Sequence, residues 1–258
     1  MKGIVLFLMI LPGVLFSQEV SLTASTPLLA DSFIGVDAYK NLYYVKDMVL
    51  HKQGPEGAYV YNDLQLGPIL SVDIINPLKV VVFYADTNTV VLLDNRLNEM
   101  ERINFNNLAE FVNIGTATNA GSNQLWIFNI DTQQLELYNY RNNIKTTVSQ
   151  PFAGKLLSQA SNFNYCYTLT EKKLRLFNIY GSILSERAVE NFSKIVQHEK
   201  NLVAMKGTDL FFITENTINP LKVPISENPI KDLQLTKEFL YIYDGKKLHT
   251  FKLTLPKQ

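Results

Sequence analysis

The chain of 258 residues balances 24 Lys plus Arg against 24 Asp plus Glu, with 47% hydrophobic and 19% charged residues. That much apolar content excludes a disordered chain, and the neutral balance excludes a strong net field toward nucleic acid or an anionic membrane. The length accommodates one large domain or two small ones, and all-β barrels and propellers of this size are commonly single domains.

Residues 1–17 differ from the rest. Lys2 supplies a positive start, residues 4–16 form an apolar stretch interrupted by Pro12 and Gly13, and Ser17 is a small residue before Gln18. This is the pattern of a secretory signal peptide cleaved before Gln18, with residues 18–258 as one mature domain. The apolar run is shorter than the roughly 20 residues a spanning helix needs, so no membrane span is expected after its removal. No Cys follows the run, which excludes a lipid-anchored cysteine, and Cys166 is the only Cys. An exported chain without an internal disulfide must draw its stability from its core.

Residues 18–25 (QEVSLTAS) alternate apolar and polar side chains and form one isolated strand without an adjacent partner. Residues 79–96 (KVVVFYADTNTVVLLDNR) then introduce a motif of two apolar runs around a polar turn, which is how a hairpin is written. Residues 125–141 (LWIFNIDTQQLELYNYR) repeat it, laying Phe128, Asp131, Thr132 and Leu135 onto Phe83, Asp86, Thr87 and Val90. The apolar residue opening the second run of each such unit recurs at Leu50, Val90, Leu135, Leu174, Leu210 and Leu248, at intervals of 40, 45, 39, 36 and 38. Two further pairs agree in other strands: NLYYVK at 41–46 with NLVAMK at 201–206, and ENFSKIVQ at 190–197 with ENPIKDLQ at 227–234.

A period near 40 built of short strands, without helical periodicity between them, predicts an all-β, six-bladed β-propeller. Each blade takes four strands from the centre outward: residues 70–74, 80–85, 90–94 and 99–103 in the second, 111–116, 125–130, 135–140 and 143–148 in the third, and 156–159, 165–169, 174–179 and 183–188 in the fourth. The last unit supplies only three, at 230–235, 239–243 and 248–253. Residues 19–24 are expected to complete it as an outer strand, closing the ring and covering an exposed sheet edge. On repeats such as LWIFNIDTQQLELYNY and LRLFNIYGS the chain resembles exported bacterial β-propellers with degenerate quinoprotein or YncE-like repeats. The resemblance implies the fold and carries no activity or functional residues with it. Trp126 is the only Trp, so the Trp-rich pattern of quinone-dependent dehydrogenases is missing.

The chemistry-bearing residues are sparse. His51, His198 and His249 fall in three different blades without a second ligand at metal spacing, and one Cys cannot build a closed Cys/His zinc site. Nucleophile-elbow, Walker and dinucleotide glycine patterns are missing, and Arg96 occupies a position where a calcium loop needs a ligand. No catalytic residue, metal or cofactor is therefore expected. Asp86 and Asp131 are read as bonding to the backbone of their turns.

Two constellations remain. Aligning the units brings Asp37, Gln159, Gln197 and Gln234 to the ends of innermost strands, with Asp73 and either Asn113 or Thr116 completing a polar ring. The ring either binds a polar ligand in the channel or bonds to the following turn and the next blade. The second constellation lies on the face formed by loops leading into each blade and loops joining second to third strands. There Phe105, Phe152, Phe192 and Asn191 offer aromatic anchors amid amides, suited to a protein or glycan contact, or else the phenylalanines plug gaps between blades. Asn191-Phe192-Ser193 also matches a glycosylation sequon. The expectation is a non-catalytic scaffold, periplasmic or on the cell surface, that binds another envelope protein. The alternative is a glycan-binding, small-molecule-binding or enzymatic propeller working at its channel.

Overall fold

The computed structural model describes residues 19–215, 217–224 and 229–254; the signal-peptide segment lies outside the described residues. Six four-stranded antiparallel sheets form a ring, a six-bladed β-propeller, with a 3₁₀ turn at Phe105–Asn107. The innermost strands are Ser32–Val36, Ser71–Asp73, Ile114–Asn119, Leu156–Ser161, Lys194–His198 and Asp232–Leu235. Every blade except the last runs in chain order from the channel outward.

The six repeat markers Leu50, Val90, Leu135, Leu174, Leu210 and Leu248 each occupy the second position of a blade's third strand, and all are buried. The core explains the regularity. Buried apolar side chains form six clusters, one at each junction between neighbouring blades. In the second strand of blade two, Val80–Tyr84, alternate residues serve different junctions. Val80, Val82 and Tyr84 face blade one, while Val81 and Phe83 face blade three. Both faces of such a strand are covered, so it reads as a continuous apolar run.

The strand expected at residues 111–116 begins three residues later, at Ile114. Asn88, at the turn of blade two, donates from Nδ2 to the Val112 carbonyl (2.8 Å) and accepts at Oδ1 from the Ile114 N–H (3.1 Å). The approach to the strand is thus bound to a neighbouring blade, and the strand itself, Gly-Thr-Ala-Thr at its centre, lacks the apolar run that marks others. The turn chemistry also differs from expectation. Asn129 Oδ1 accepts from the Asp131 and Thr132 N–H groups, whereas Asp131 accepts from the Asn113 side chain of its blade's inner strand approach. The residue ending the strand, two positions before the conspicuous aspartate, stabilises the turn.

Glu19–Pro27 pairs antiparallel with Lys247–Thr254 as the outer strand of blade six, with a bulge between Leu22 and Ala24. The cluster beneath this closure has only four buried members, Leu28, Phe33, Tyr243 and Leu248. Hydrogen bonds reinforce it: the Tyr243 hydroxyl donates to the Ala30 carbonyl (2.8 Å) and accepts from the Ala30 N–H (3.2 Å). Deleting residues 19–27 is expected to lower the melting temperature by more than about 10 °C, since each kcal/mol lost is worth roughly 2–4 °C for a chain of this size. Differential scanning calorimetry checks it, and an unchanged melt would show that the ring holds without its outer seam.

Candidate functional site

The innermost strands enclose a central channel of about 830 Å³. Aliphatic groups, among them Ile34, Val72, Ile74 and Val196, form much of its wall, and His198 lies at the end where inner strands turn back. Burial holds the His198 imidazole below the usual histidine range.

The polar ring residues are all engaged with protein. Gln234 of blade six imitates a backbone unit: its Oε1 accepts from the Val36 N–H of blade one (2.7 Å) and its Nε2 donates to the Val36 carbonyl (3.0 Å). Gly35 permits this approach, because a Cβ there would lie 2.7 Å from Gln234 Nε2 and 2.9 Å from Ile74 Cδ1. Gln197 of blade five donates to the Ser161 carbonyl of blade four (2.7 Å). Gln159 of blade four accepts from Thr116 (2.8 Å) and donates to Thr118 (3.1 Å), both in blade three. Asp73 of blade two accepts from the Asn119 N–H of blade three (2.6 Å).

Asp37 works within its own blade, accepting from the N–H groups of Tyr39 and Asn41 and from the Tyr43 hydroxyl. Burial, then the adjacent Asp37 charge, raises the Tyr43 hydroxyl far above the ordinary tyrosine range. Asn113 stands outside the ring, bonded to Asp131.

Sequence reasoning missed a further link. Lys194 of blade five donates to Asp232 Oδ1 of blade six (2.7 Å), and Asp232 Oδ2 accepts from the Phe33 N–H of blade one (2.9 Å). Three blades are thereby tied at one rim of the channel. The signal was present as the Lys and Asp two or three positions before the aligned glutamines, but Lys194 superposes on Lys231 and not on Asp232, so the alignment does not pair them. Blades one and two are joined farther out, where the buried Lys52 donates to the Asn95 carbonyl.

The phenylalanines of the second constellation are buried. Phe105 packs against Tyr138 between blades two and three, Phe152 lies between Phe128 and Phe177 at the next junction, and Phe192 meets Phe211 edge-on between blades four and five. They plug the gaps between blades and are not available as surface anchors. Asn191 is exposed beside them, with a left-handed backbone (φ 63°). Apart from these, Leu29, Leu64, Leu70 and Phe111 on the same face are 58–72% exposed.

The histidines have structural neighbours: His51 stacks on Tyr44 at 4.8 Å, and His249 contacts Asp244 Oδ2 at 3.2 Å. Among the described residues no group of three or more His, Cys, Asp or Glu is placed to hold a metal ion, and no helix is long and apolar enough to cross a membrane.

The class is therefore a six-bladed β-propeller whose inner polar ring joins blade to blade. No protein-family model matches the chain, and no curated protein matches it in sequence. Among solved structures it is similar to a catalytically inactive virginiamycin B lyase from Staphylococcus aureus crystallised with quinupristin, at TM-score 0.61 and 8% identity over 92% of this chain and 100% of that one. It is similar to BamB from Moraxella catarrhalis at TM-score 0.52 and 11% identity, over 91% and 100% of the two chains. It is also similar to PorZ, an essential bacterial surface component of the type-IX secretion system of Porphyromonas gingivalis, at TM-score 0.52 and 15% identity, over 86% of this chain and 31% of PorZ. At such identities the likeness is one of fold.

Gln234→Leu is expected to destabilise the protein by about 1–3 kcal/mol, because the Val36 N–H and carbonyl lose their partners at the channel wall. Gln197→Leu should cost less, since its second contact, from Asn162, is long at 3.4 Å. Chemical denaturation measures both, and equal, negligible losses would mean that water replaces the clamp.

A second expectation concerns pH. Burial pushes the carboxyls of Asp73 and Glu136 above the usual carboxylate range. Glu136 has only Lys145 at 3.7 Å and Asn129 at 3.4 Å near Oε1, and its Oε2 is without a partner. A carboxyl with a raised folded pKa stabilises the fold below its unfolded pKa, and that contribution is lost as pH rises through the folded value. Glu136→Gln should therefore melt like the wild type near pH ~4 and above it near pH ~8. Parallel melting curves at every pH would show that Glu136 titrates normally.

Proposed function

We propose that the protein is an exported, non-catalytic β-propeller serving as a protein-interaction scaffold in the bacterial cell envelope. The observation that carries this reading is a division of labour between channel and face. Ring side chains that could grip a polar ligand are bonded into the wall, while large apolar side chains stand exposed on the loops leading into the blades. Exposed apolar groups set in polar surroundings mark protein contact surfaces. The likeness to PorZ, a bacterial surface component of a secretion system, supports placing the protein in an envelope. The amino-terminal segment, read as an export signal, supports it independently.

Cross-linking in intact source cells, followed by capture of the tagged chain from the envelope fraction, is expected to return a reproducible partner set. Mass spectrometry of the captured chain should begin at Gln18. Recovery of nothing beyond the untagged control, or of an uncleaved chain in the cytoplasm, would overturn the reading.

A second reading, a small-molecule or glycan site in the channel with or without an enzymatic activity, is favoured by the size of the channel and its aliphatic wall. A compound that raises the melting temperature of the wild type and not of the channel-filling Val196→Trp variant would put this reading first.

A further inference from the structure

The loops leading into the blades, together with those joining second to third strands, form one face of the ring, here termed the upper face. Its charge is divided. On blades one to three its exposed ionisable groups are chiefly acids: Asp31, Asp47, Asp86, Glu110 and Asp131, with Lys46 at the margin. On blades four to six lysines prevail among the described residues, with Lys172, Lys206, Lys222, Lys231 and Lys246 beside Glu171, Glu190 and Asp209. A chain with no net charge thus carries a polarised face.

The apolar groups follow the same division. Leu29 (72% exposed), Leu64 (69%), Leu70 (59%) and Phe111 (58%) all belong to the acidic half. Their exposure is selective, because Leu66 and Val112 of the same loops are buried in the junctions below. The loops are also tied into one surface. Thr87 donates to the Leu66 carbonyl, Asn106 Nδ2 donates to the Thr87 carbonyl, and Asn113 donates to Asp131. At the edge, the Asp47 N–H donates to Asp31 Oδ2 (2.7 Å). A surface held in place this way loses little conformational freedom on binding.

We propose that the half of the upper face carried by blades one to three docks a partner segment that is both basic and apolar, such as an amphipathic helix with Lys or Arg flanking Leu. The proposal rests on the scaffold reading above and names the chemistry of its partner. Apolar side chains of the segment cover Leu64, Leu70 and Phe111, and its cations meet the surrounding carboxylates, which steer the encounter and set its orientation. A second copy of the chain does not suit this surface. Turned face to face by a two-fold axis, it would lay the apolar half against lysines or against its own acids.

The test uses three synthetic peptides of equal length: Lys/Leu amphipathic, Glu/Leu amphipathic, and Lys/Ser. Binding to the full mature chain is measured by fluorescence anisotropy at low and high salt. The Lys/Leu peptide is expected to bind more than about tenfold tighter than either of the others, and to weaken with salt. Leu64→Ser with Phe111→Ser, and separately Asp47→Asn with Glu110→Gln, should each weaken it about tenfold or more. Lys172→Gln with Lys206→Gln should not weaken it, and all variants alter exposed side chains, so unchanged melts serve as the folding control. Equal affinity for the three peptides, or indifference to the blade-one-to-three substitutions, overturns the proposal. So does a concentration-dependent dimer abolished by Phe111→Ser. Specific capture in the envelope experiment that is insensitive to these substitutions would keep the scaffold reading while removing this surface from it.

Discussion

A ring of blades depends on its last junction. Five junctions connect units that follow one another along the chain, but blade six must find blade one across more than 200 residues of sequence, and its apolar cluster is the smallest of the six. Three kinds of contact compensate. Glu19–Pro27 completes the outer sheet, Tyr243 holds the loop that follows it, and Gln234 and Asp232 fasten the inner strands through the backbone of Val36 and Phe33. With the seam bonded at both rims, the loop-closure entropy of the whole chain is overcome in one place. No disulfide takes part, since the only thiol, Cys166, is buried at a different junction.

Closure constrains what the channel can do. Each inner strand must approach its neighbours without backbone pairing between blades, so polar side chains supply the missing links. Gln234, Gln197, Gln159, Asp73 and the Lys194–Asp232 pair are used in this way. The same groups would otherwise be the natural candidates for ligand recognition. No such link engages Leu64, Leu70 and Phe111, which stand exposed on the upper face.

Much of the fold was legible because blade packing is written locally. The third-strand markers are buried in every blade since each lies over a junction, and this recurring demand produces a period near 40 residues. The hairpins of blades two and three were readable for the same reason, with both faces of their strands covered. Blade three's inner strand was misplaced because Gly115, Thr116 and Thr118 contribute backbone and hydroxyl bonds to the channel wall and little apolar surface. Its position follows from Asn88, a residue of another blade.

The site was legible only in part. Alignment of repeats brought Gln159, Gln197 and Gln234 to equivalent places, but three equivalent glutamines reach different partners: hydroxyls, a carbonyl, and a complete backbone unit. Sequence determined the repeat, the strand order and the need for a borrowed strand, because these follow from side-chain periodicity and from an unpaired edge. Tertiary structure alone decided that Phe105, Phe152 and Phe192 fill junctions while Leu64, Leu70 and Phe111 stand outside. Both sets are large apolar residues in polar loops, and which of them is covered depends on the neighbouring blade that the loop meets.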